Sequence, residues 1–240
     1  MLELDPLSIV KSIATSEILI SGRLVDASNA TLFGKVISDT GVHEIPIIYK
    51  PIAGERPLWD FPDGDLASRE VAAYQINKFL GFNIVPFTTL RDGPYGIGAV
   101  QQWIEIDEAF DLITFSQTDD FRLREIALFD AVINNTDRKI GHLLMDADNK
   151  LFGIDHGVSL HSENKLRTVL WQWRGMQLTE IEVGQLQKFI SERERITVSL
   201  RNLITVLEVD ALFARVSSLI DAGIFPEPSE EWPAIPWPPI

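Results

Sequence analysis

Four polar residues occupy positions where a polar side chain requires an explanation. Lys50 follows the apolar run Ile45–Tyr49, and Glu70 borders the apolar face of a helical pattern. Asp137 lies in a polar loop, and Asp155 begins the triplet Asp-His-Gly after a short strand pattern. Each has an ordinary local explanation, such as a solvated strand-end lysine, a locally paired helix carboxylate or a turn. A buried lysine, in contrast, requires an anion.

The order of these four residues predicts phosphoryl-transfer chemistry. A strand lysine can neutralise nucleotide phosphates, and a helix glutamate can hold that lysine in place. One aspartate can orient the attacking hydroxyl or accept its proton, while the other binds magnesium, a hard cation that prefers carboxylate oxygen. Protein-kinase-like folds present these four parts in this order.

The composition excludes several other kinds of chemistry. The 240 residues contain no cysteine, so thiol catalysis, disulfides and cysteine-ligated metals are excluded. The net charge of -14 argues against nucleic-acid and anionic-membrane partners, since both require a basic face. The absence of a long apolar run and of a signal-peptide pattern predicts a cytoplasmic protein. Phosphate-loop, dinucleotide, nucleophile-elbow and zinc-protease motifs are all incomplete.

Hydrophobic periodicity predicts an α+β chain with two lobes. With the order of the four residues above, this predicts a two-lobed protein-kinase-like fold. We expect a β-rich N-lobe with one helix over residues 1–104, a mainly helical C-lobe over 105–240, and a ligand cleft between them. From about residue 225 the chain is rich in Pro and Trp, which predicts an extended tail packed on the body or, alternatively, a ligand for a protein partner. The predicted strands are Glu17–Leu24, Thr31–Ile37, His43–Lys50, Phe82–Leu90, Ile97–Ile104, His142–Met145 and Leu151–Ile154; the predicted helices are Leu66–Leu80, one from Asp119 or Asp120 to Ile133, and several between Thr179 and Ala222.

Several sequence blocks resemble a known kinase superfamily. IYKP, SREVAAYQ, NNTDRKIGHLL and GIDHG resemble the phosphatidylinositol 3-/4-kinase catalytic domain and its bacterial relatives, including the HipA-type toxin kinases. Longer blocks, such as YKPIAGERPLWDFPDGDLASREVAAY and ALFDAVINNTDRKIGHLL, resemble a family of short bacterial proteins related to these kinases. The closer resemblance covers roughly residues 17–225.

The resemblance implies roles for residues on both sides of the cleft. Lys50 falls on the superfamily's phosphate-binding lysine, and Glu70 falls on the helix glutamate that pairs with it. Asp137 falls on the catalytic aspartate. Lys139 takes the position of the superfamily's histidine in the same loop and is expected to supply its positive charge.

The resemblance also implies metal and nucleotide contacts. Asp155 falls on the metal-binding aspartate, and His142 stands where an asparagine ligand is expected. Imidazole suits manganese or zinc better than magnesium, so His142 is expected to alter the metal preference. The phosphate loop is expected at Ala27–Thr31, including Ser28 and Asn29, and the adenine-binding hinge at Gln101, Gln102 and Trp103.

The implied function is ATP-dependent phosphotransfer. The expected cofactors are ATP and Mg²⁺ or Mn²⁺, and the expected acceptor is an unidentified protein or small-molecule hydroxyl. The substitution at His142 supports a second hypothesis, a catalytically weak or inactive nucleotide-binding regulator (a pseudokinase). Transfer of AMP is a third hypothesis. A fourth is metal-dependent hydrolysis by Asp137, His142, Asp155, His156 and His161.

Overall fold

The computed structural model describes residues 5–24, 29–39 and 41–239. Ser28 and the start of the predicted phosphate loop therefore lie outside the described residues. Strands dominate the N-terminal part of the described chain and helices dominate the C-terminal part, which confirms the predicted α+β class. Within these ranges, no helix combines the length and apolar character that crossing a membrane requires.

An antiparallel sheet forms the N-lobe, and its described part has the spatial strand order β1-β2-β3-β5-β4. Residues alternate between the two faces of β3, so Ile47 and Tyr49 pack in one apolar cluster while Lys50 lies on the opposite face. Lys50 is paired across the sheet with Ala99. The strands are β1 (Ile18–Arg23), β2 (Leu32–Ile37), β3 (Glu44–Pro51), β4 (Thr88–Gly93) and β5 (Gly96–Gln102).

Helices pack on both sides of this sheet. The first helix, α1 (Pro6–Thr15), begins after Asp5, which caps the backbone N–H groups of the first turn, and its Ile13 is buried against the sheet. The prediction of a single N-lobe helix was therefore wrong. The second, α2 (Leu66–Leu80), has the predicted bounds. It ends because Gly81 adopts a left-handed conformation that glycine favours.

The C-lobe consists mainly of helices and one short hairpin. Asp120 caps the first long helix, as predicted, and threonines begin capping boxes at two later helices. The elements are α3 (Leu112–Phe115), α4 (Phe121–Ile133), β6 (Leu143–Met145), β7 (Leu151–Gly153), α5 (Glu180–Ser191), α6 (Arg193–Leu200) and α7 (Val206–Ala222).

The largest apolar core spans both parts of the chain. Ile76 and Leu80 of α2 pack in the same cluster as the buried side chains of α4, α5 and α7. The strand predicted over Phe82–Leu90 begins only at Thr88, because Phe82 and Ile84 are buried in this cluster and leave the sheet. Since the core continues across residue 105, the division into lobes at that point stays a prediction.

The described part of the Pro/Trp-rich tail, residues 225–239, forms no helix and contacts the C-lobe. The Ala234 carbonyl accepts hydrogen bonds from the Thr168 backbone N–H and the Trp171 indole N–H. The Trp232 ring lies 4.8 Å from Nζ of Lys165, whereas Trp237 is 89% exposed. The expectation that the tail packs on the body therefore fits Trp232 but fails at Trp237, and a protein partner for the tail stays a prediction.

Candidate active site

Lys50, at the end of β3, lies between carboxylates from two distant parts of the chain. Its Nζ donates to Oε1 of Glu70 on α2 and, at 2.8 Å, to Oδ1 of Asp155. The Glu70 side chain is only 3% exposed, whereas that of Asp155 is 49% exposed. His142 approaches from the other side, with Nε2 3.3 Å from Oδ2 of Asp155. We call these four residues the cleft cluster, and each of them is a site residue predicted from the sequence.

A sharp turn brings the Asp-His-Gly triplet against the start of α2. Asp155 has a left-handed backbone, with φ of 59°, a conformation that costs a non-glycine residue about 1–3 kcal/mol. The backbone N–H of His156 donates to Oε2 of Glu70 at 2.9 Å. A Cβ atom at Gly157 would lie 3.2 Å from Cβ of Leu66, so glycine permits this close approach. The turn therefore aims Asp155 at Lys50 while fixing Glu70.

Charge interactions and burial oppose each other within the cleft cluster. Burial alone would lower the pKa of Lys50, but Asp155 and Glu70 outweigh it and raise that pKa. Lys50 in turn holds the pKa of Asp155 well below its usual range. Burial raises the pKa of Glu70 against the effect of Lys50, and burial lowers the pKa of His142 against the effect of Asp155. At neutral pH the imidazole of His142 is therefore uncharged, which is the form that binds metals.

Asp137 and Lys139 line the same cavity from the loop between α4 and β6. Nζ of Lys139 lies 3.2 Å from Oδ2 of Asp137, and both side chains are partly exposed. The backbone N–H of Asp137 donates to Oδ1 of Asn135 at 3.0 Å, which fixes the start of the loop. Asp137 thus presents a carboxylate to the cavity beside a neighbouring positive charge.

A fully buried group of residues fixes this loop from behind. The guanidinium of Arg138 donates to both carboxylate oxygens of Asp130 on α4, and both side chains are 0% exposed. Arg138 also donates to the carbonyl of Ile154 at 2.9 Å, and its Nη2 lies 2.7 Å from Nε2 of His156. We call Asp130, Arg138 and His156 the loop anchor. It connects α4, the loop that carries Asp137 and the turn that carries Asp155. The loop anchor therefore fixes the position of Asp137 relative to Asp155.

The cavity beside these residues encloses about 180 Å³. That is smaller than the roughly 300–1,000 Å³ typical of sites that hold drug-sized ligands, so the cleft is narrow. Asn29 and Thr31, from the described end of the predicted phosphate loop, line it. Oδ1 of Asn29 accepts the backbone N–H of Arg56, which holds this segment next to the 3-10 turn Ile52–Gly54.

Carboxylates outnumber cations in the described lining of this cavity. Besides Glu70, Asp137 and Asp155 it contains Glu55, whose carboxylate accepts the first backbone N–H groups of α2. Two lysines oppose these four acids. A polyphosphate entering the cleft would meet excess negative charge, and a divalent cation is the usual solution to that problem.

The oxygen and nitrogen donors of the cleft cluster fit a metal ion that takes its remaining coordination from a bound ligand and from water. Within the described ranges, no three His, Cys, Asp or Glu side chains form a group that could hold a metal ion. Asp155 and His142 would supply two ligands to such an ion, and Nδ1 of His142 is buried without a hydrogen-bond partner in the part of the chain described. Mg²⁺ and similar ions commonly take only one or two protein ligands and complete their shell with water and phosphate oxygens.

The predicted hinge has few free backbone donors. The N–H of Gln102 donates to the carbonyl of Phe87, and the N–H of Trp103 donates to the carbonyl of Pro46. Gln101 is buried, and its side chain donates to Oγ1 of Thr88. Adenine contacts at Gln102 and Trp103 would therefore depend on carbonyl oxygens, and the adenine-binding hinge stays a prediction.

The residues required for the hydrolase hypothesis do not converge. His156 is fully buried in the loop anchor, and His161 accepts the backbone N–H of Glu163 through Nδ1 while its Nε2 faces Lys165 at 3.3 Å. Neither histidine lines the cavity that contains Asp155. The prediction that these five residues form one metal centre was wrong.

Comparison with known proteins identifies relatives of the whole chain. Protein Rv2133c of Mycobacterium tuberculosis (strain ATCC 25618 / H37Rv) is 38% identical over a 263-residue alignment, which covers 94% of this chain and 93% of that protein. The chain belongs to the family of Protein Rv2133c. No protein-family model matches it.

Two solved structures share the fold of this family member. The golgi casein kinase has a TM-score of 0.57 and 13% identity, covering 92% of this chain and 75% of its own. The Helicobacter pylori proinflammatory kinase CtkA has a TM-score of 0.54 and 11% identity, covering 89% of this chain and 95% of its own. At such identities the likeness concerns the fold, and it confirms the two-lobed kinase-like architecture.

Sequence reasoning missed the residues that hold the site in place. Asp130 carried a usable signal, since it is the one charge within the otherwise apolar segment ALFDAVI. Arg69, one position before Glu70 in the sequence, forms a buried ion pair with Glu208 of α7 at 2.6 Å. That pair anchors α2 to the C-lobe. Its partner lies 139 positions away in the sequence, so no local pattern could have indicated it.

Proposed function

We propose that this protein is an ATP-dependent phosphotransferase that acts on a hydroxyl of a protein or a small molecule. The observation that carries the proposal is the cleft cluster itself: a strand lysine paired with a helix glutamate and with the aspartate of the Asp-His-Gly turn. A structural ion pair would be satisfied by one carboxylate. A lysine placed between two carboxylates, one of them half exposed, suits a site where incoming phosphates take over part of the contact.

The side chains divide the work of phosphoryl transfer. Lys50 binds phosphate oxygens of the nucleotide, and Glu70 keeps the ammonium in position. Asp137 accepts the proton of the acceptor hydroxyl as its oxygen forms a bond to the transferred phosphorus and the bond to the leaving phosphate oxygen breaks. Nζ of Lys139, at 3.2 Å from Oδ2 of Asp137, places a positive charge beside this carboxylate. A divalent cation held by Asp155 and His142 would supply charge neutralisation at the phosphates.

The acceptor is better matched by a protein or small molecule than by an inositol lipid. Recognition of a phosphorylated lipid head group requires free cations beside the catalytic loop. Lys165 is buried against the Phe61 and Trp232 rings, and Nε of Arg167 donates to the carbonyl of Thr136. Both cations are thus engaged within the protein. The resemblance of the sequence blocks to the phosphatidylinositol 3-/4-kinase superfamily supports the proposed phosphotransfer and does not specify a lipid substrate.

A second candidate function is a nucleotide-binding regulator without turnover. One observation favours it: Oδ1 of Asp155 contacts Lys50, and Oδ2 faces His142, so both oxygens of the main metal ligand already have partners. If these contacts persist with nucleotide present, phosphates bind without the metal geometry that transfer requires. The two candidates make the same prediction for ATP binding and different predictions for turnover.

A thermal-unfolding experiment tests nucleotide binding, which both candidates require. ATP with Mg²⁺ or Mn²⁺ at about 100 times its dissociation constant stabilises the folded state by about 2.7 kcal/mol, which corresponds to a rise in melting temperature of roughly 5–10 °C for a chain of this size. Lys50→Ala should remove most of that rise. The absence of any rise at millimolar ATP with either metal would contradict the proposal.

Lys35→Ala provides a matched control for this experiment. Lys35 is also a strand lysine paired with a glutamate, Glu44, but it lies on β2 outside the cavity. The Lys35→Ala protein should keep the full nucleotide-dependent rise. An equal loss in both variants would show that the rise reports general charge effects instead of a site at Lys50.

A further inference from the structure

A second pocket lies on the C-lobe and shares no lining residue with the cleft. It encloses about 470 Å³ between the end of α4, the outer part of α7 and the chain that follows α7. Its walls are largely apolar and include Leu166, Leu219, Ile224 and Phe225. This volume falls in the range of about 300–1,000 Å³ that is usual for small-molecule sites.

One cation, Arg215 of α7, lines this apolar pocket together with one carboxylate, Glu227, with which it forms no ion pair in the described part of the chain. Its Nε donates to the carbonyl of Val132 at 2.9 Å, near the end of α4, where cations and donors commonly satisfy free carbonyls. Its Nη2 is shielded from solvent and has no hydrogen-bond partner in residues 5–24, 29–39 and 41–239. Within the same ranges no carboxylate forms an ion pair with Arg215. The structural role of Arg215 thus accounts for one of its five N–H donors.

The guanidinium of Arg215 remains charged despite this environment. Burial lowers the pKa of Arg215 to about 10, which still leaves the side chain protonated at neutral pH. An unpaired cation beside apolar walls is costly, and an anion that binds there recovers part of the cost. Other buried arginines of this protein, Arg69 and Arg138, each have a carboxylate partner within 3 Å. Arg215 is the exception among these three.

The chemistry of the pocket selects one kind of ligand. A single guanidinium matches a single negative charge, and its planar donors suit a carboxylate in a bidentate arrangement. Glu227 at the pocket and the net charge of -14 disfavour a dianion such as a phosphate monoester. The apolar walls suit a hydrocarbon body. We propose that this pocket binds an apolar small molecule that carries one carboxylate, with the carboxylate on Arg215.

Binding of decanoate, used below its micelle concentration, tests this proposal by calorimetry. The wild-type protein should bind decanoate and should bind 1-decanol and decyltrimethylammonium at least about tenfold more weakly, since a charge-assisted hydrogen bond is worth about one to two factors of ten. Lengthening the chain from octanoate to decanoate should tighten binding about fourfold per methylene. No binding by wild type, or equal binding of decanoate and decanol, would overturn the proposal.

Two variants locate the binding site. Arg215→Gln keeps a donor for the Val132 carbonyl but removes the charge, and it should weaken decanoate binding about tenfold or more. Ala214→Trp fills the pocket from an exposed position of α7 and leaves Arg215 in place, so folding is expected to be retained while binding is lost. Unchanged decanoate affinity in folded Ala214→Trp protein would overturn the proposal even if Arg215→Gln failed to fold.

Discussion

The cleft cluster and the loop anchor are two groups of charged residues built on the same Asp-His-Gly turn, and they differ in exposure and in how completely they are bonded. In the loop anchor, the side chains of Arg138 and Asp130 are 0% exposed, and the guanidinium donates several hydrogen bonds to the carboxylate. In the cleft cluster, Asp155 is 49% exposed and makes one contact with Lys50 and one with His142. Neighbouring residues of one turn therefore serve opposite purposes.

This difference shows how the fold separates stability from chemistry. A buried and fully bonded pair fixes the backbone because breaking it leaves an uncompensated charge in the interior. A half-exposed pair can exchange one partner for a ligand at low cost, because water solvates the group that is released. We therefore expect substitutions in the loop anchor to unfold the protein, and substitutions in the cleft cluster to change ligand binding and turnover.

The largest stability effect is expected from Arg138→Met. The change leaves the Asp130 carboxylate buried without its partner, which typically costs about 3–5 kcal/mol. Denaturant unfolding should show this loss. Arg193→Met is the control, because Arg193 and Asp210 form an ion pair with both side chains more than half exposed, and such pairs contribute about 0–1 kcal/mol. A loss below about 1 kcal/mol for Arg138→Met would remove the distinction between the two groups.

The next largest effect is expected from Asp155→Asn, a substitution in the cleft cluster. Without nucleotide the free energy of unfolding should change little, since this side chain is half exposed. With ATP and a divalent cation, most of the stabilisation of about 2.7 kcal/mol should disappear, because the variant loses the charge that holds the cation. The measurement is thermal unfolding with and without nucleotide. Full retention of the nucleotide effect would show that Asp155 is not a metal ligand.

The loop anchor should also make stability depend on pH through His156. Burial, aided by the charge of Arg138, lowers the pKa of His156 well below its ordinary value. Below about pH 6.5, His156 is therefore protonated in the unfolded chain but not in the folded protein. Stability is then fully present above about pH 6.5 and falls as the pH drops below it, by up to about 1.4 kcal/mol per pH unit for one histidine. In the presence of a chelator, His156→Gln should show a shallower loss between pH 6.5 and 5. An unchanged slope would contradict a neutral buried His156.

The smallest effect is expected where the tail meets the loop that carries Asp137. The Pro239 carbonyl accepts the backbone N–H of Ile140, three residues after Asp137. Deleting residues 238–240 removes this hydrogen bond and should cost about 0.5–1.5 kcal/mol of unfolding free energy. Trp237→Ala, at an exposed position of the same tail, is the control and should change stability by less than about 0.5 kcal/mol. Equal effects of the two changes would show that the bond to Ile140 contributes nothing specific.

Local patterns predicted most helices and strands of the fold, and the exceptions have physical causes. The bounds of α2 followed from apolar spacing and from Gly81, both of which act within a few residues. The helix α1 was missed because the β-branched residues in its ten-residue sequence favour helix weakly, and burial of Ile13 against the sheet stabilises it. The late start of β4 likewise reflects burial of Phe82 in the C-lobe core, which local periodicity cannot reveal.

The candidate site divides in a similar way. The residues proposed for chemistry could be selected because the types and the order of the lysine, the glutamate and the two aspartates match the parts that phosphoryl transfer requires. Of the residues that hold them, Asp130 pairs with Arg138 only eight positions away and could have been noticed, whereas Arg69 pairs with Glu208 in a distant part of the chain. The engaged N–H groups of Gln102 and Trp103 depend on sheet register, which only the structure supplies. The residues proposed for catalysis could therefore be selected from local sequence patterns, whereas the contact that anchors α2 joins distant parts of the chain.

Transfer of label from ATP tests the central claim most directly. Wild-type protein and Asp137→Asn are incubated with ATP labelled in either the alpha or the gamma phosphate, with Mg²⁺ or Mn²⁺, and the protein itself serves as the first acceptor. The account predicts that gamma label is transferred or released as phosphate, and that Asp137→Asn lowers this rate by a factor of about 10² or more while keeping the nucleotide-dependent rise in melting temperature. Asp148→Asn, in the exposed turn between β6 and β7, should behave as wild type. Alpha label on the product, or equal rates for wild type and Asp137→Asn, would contradict the proposed phosphotransfer.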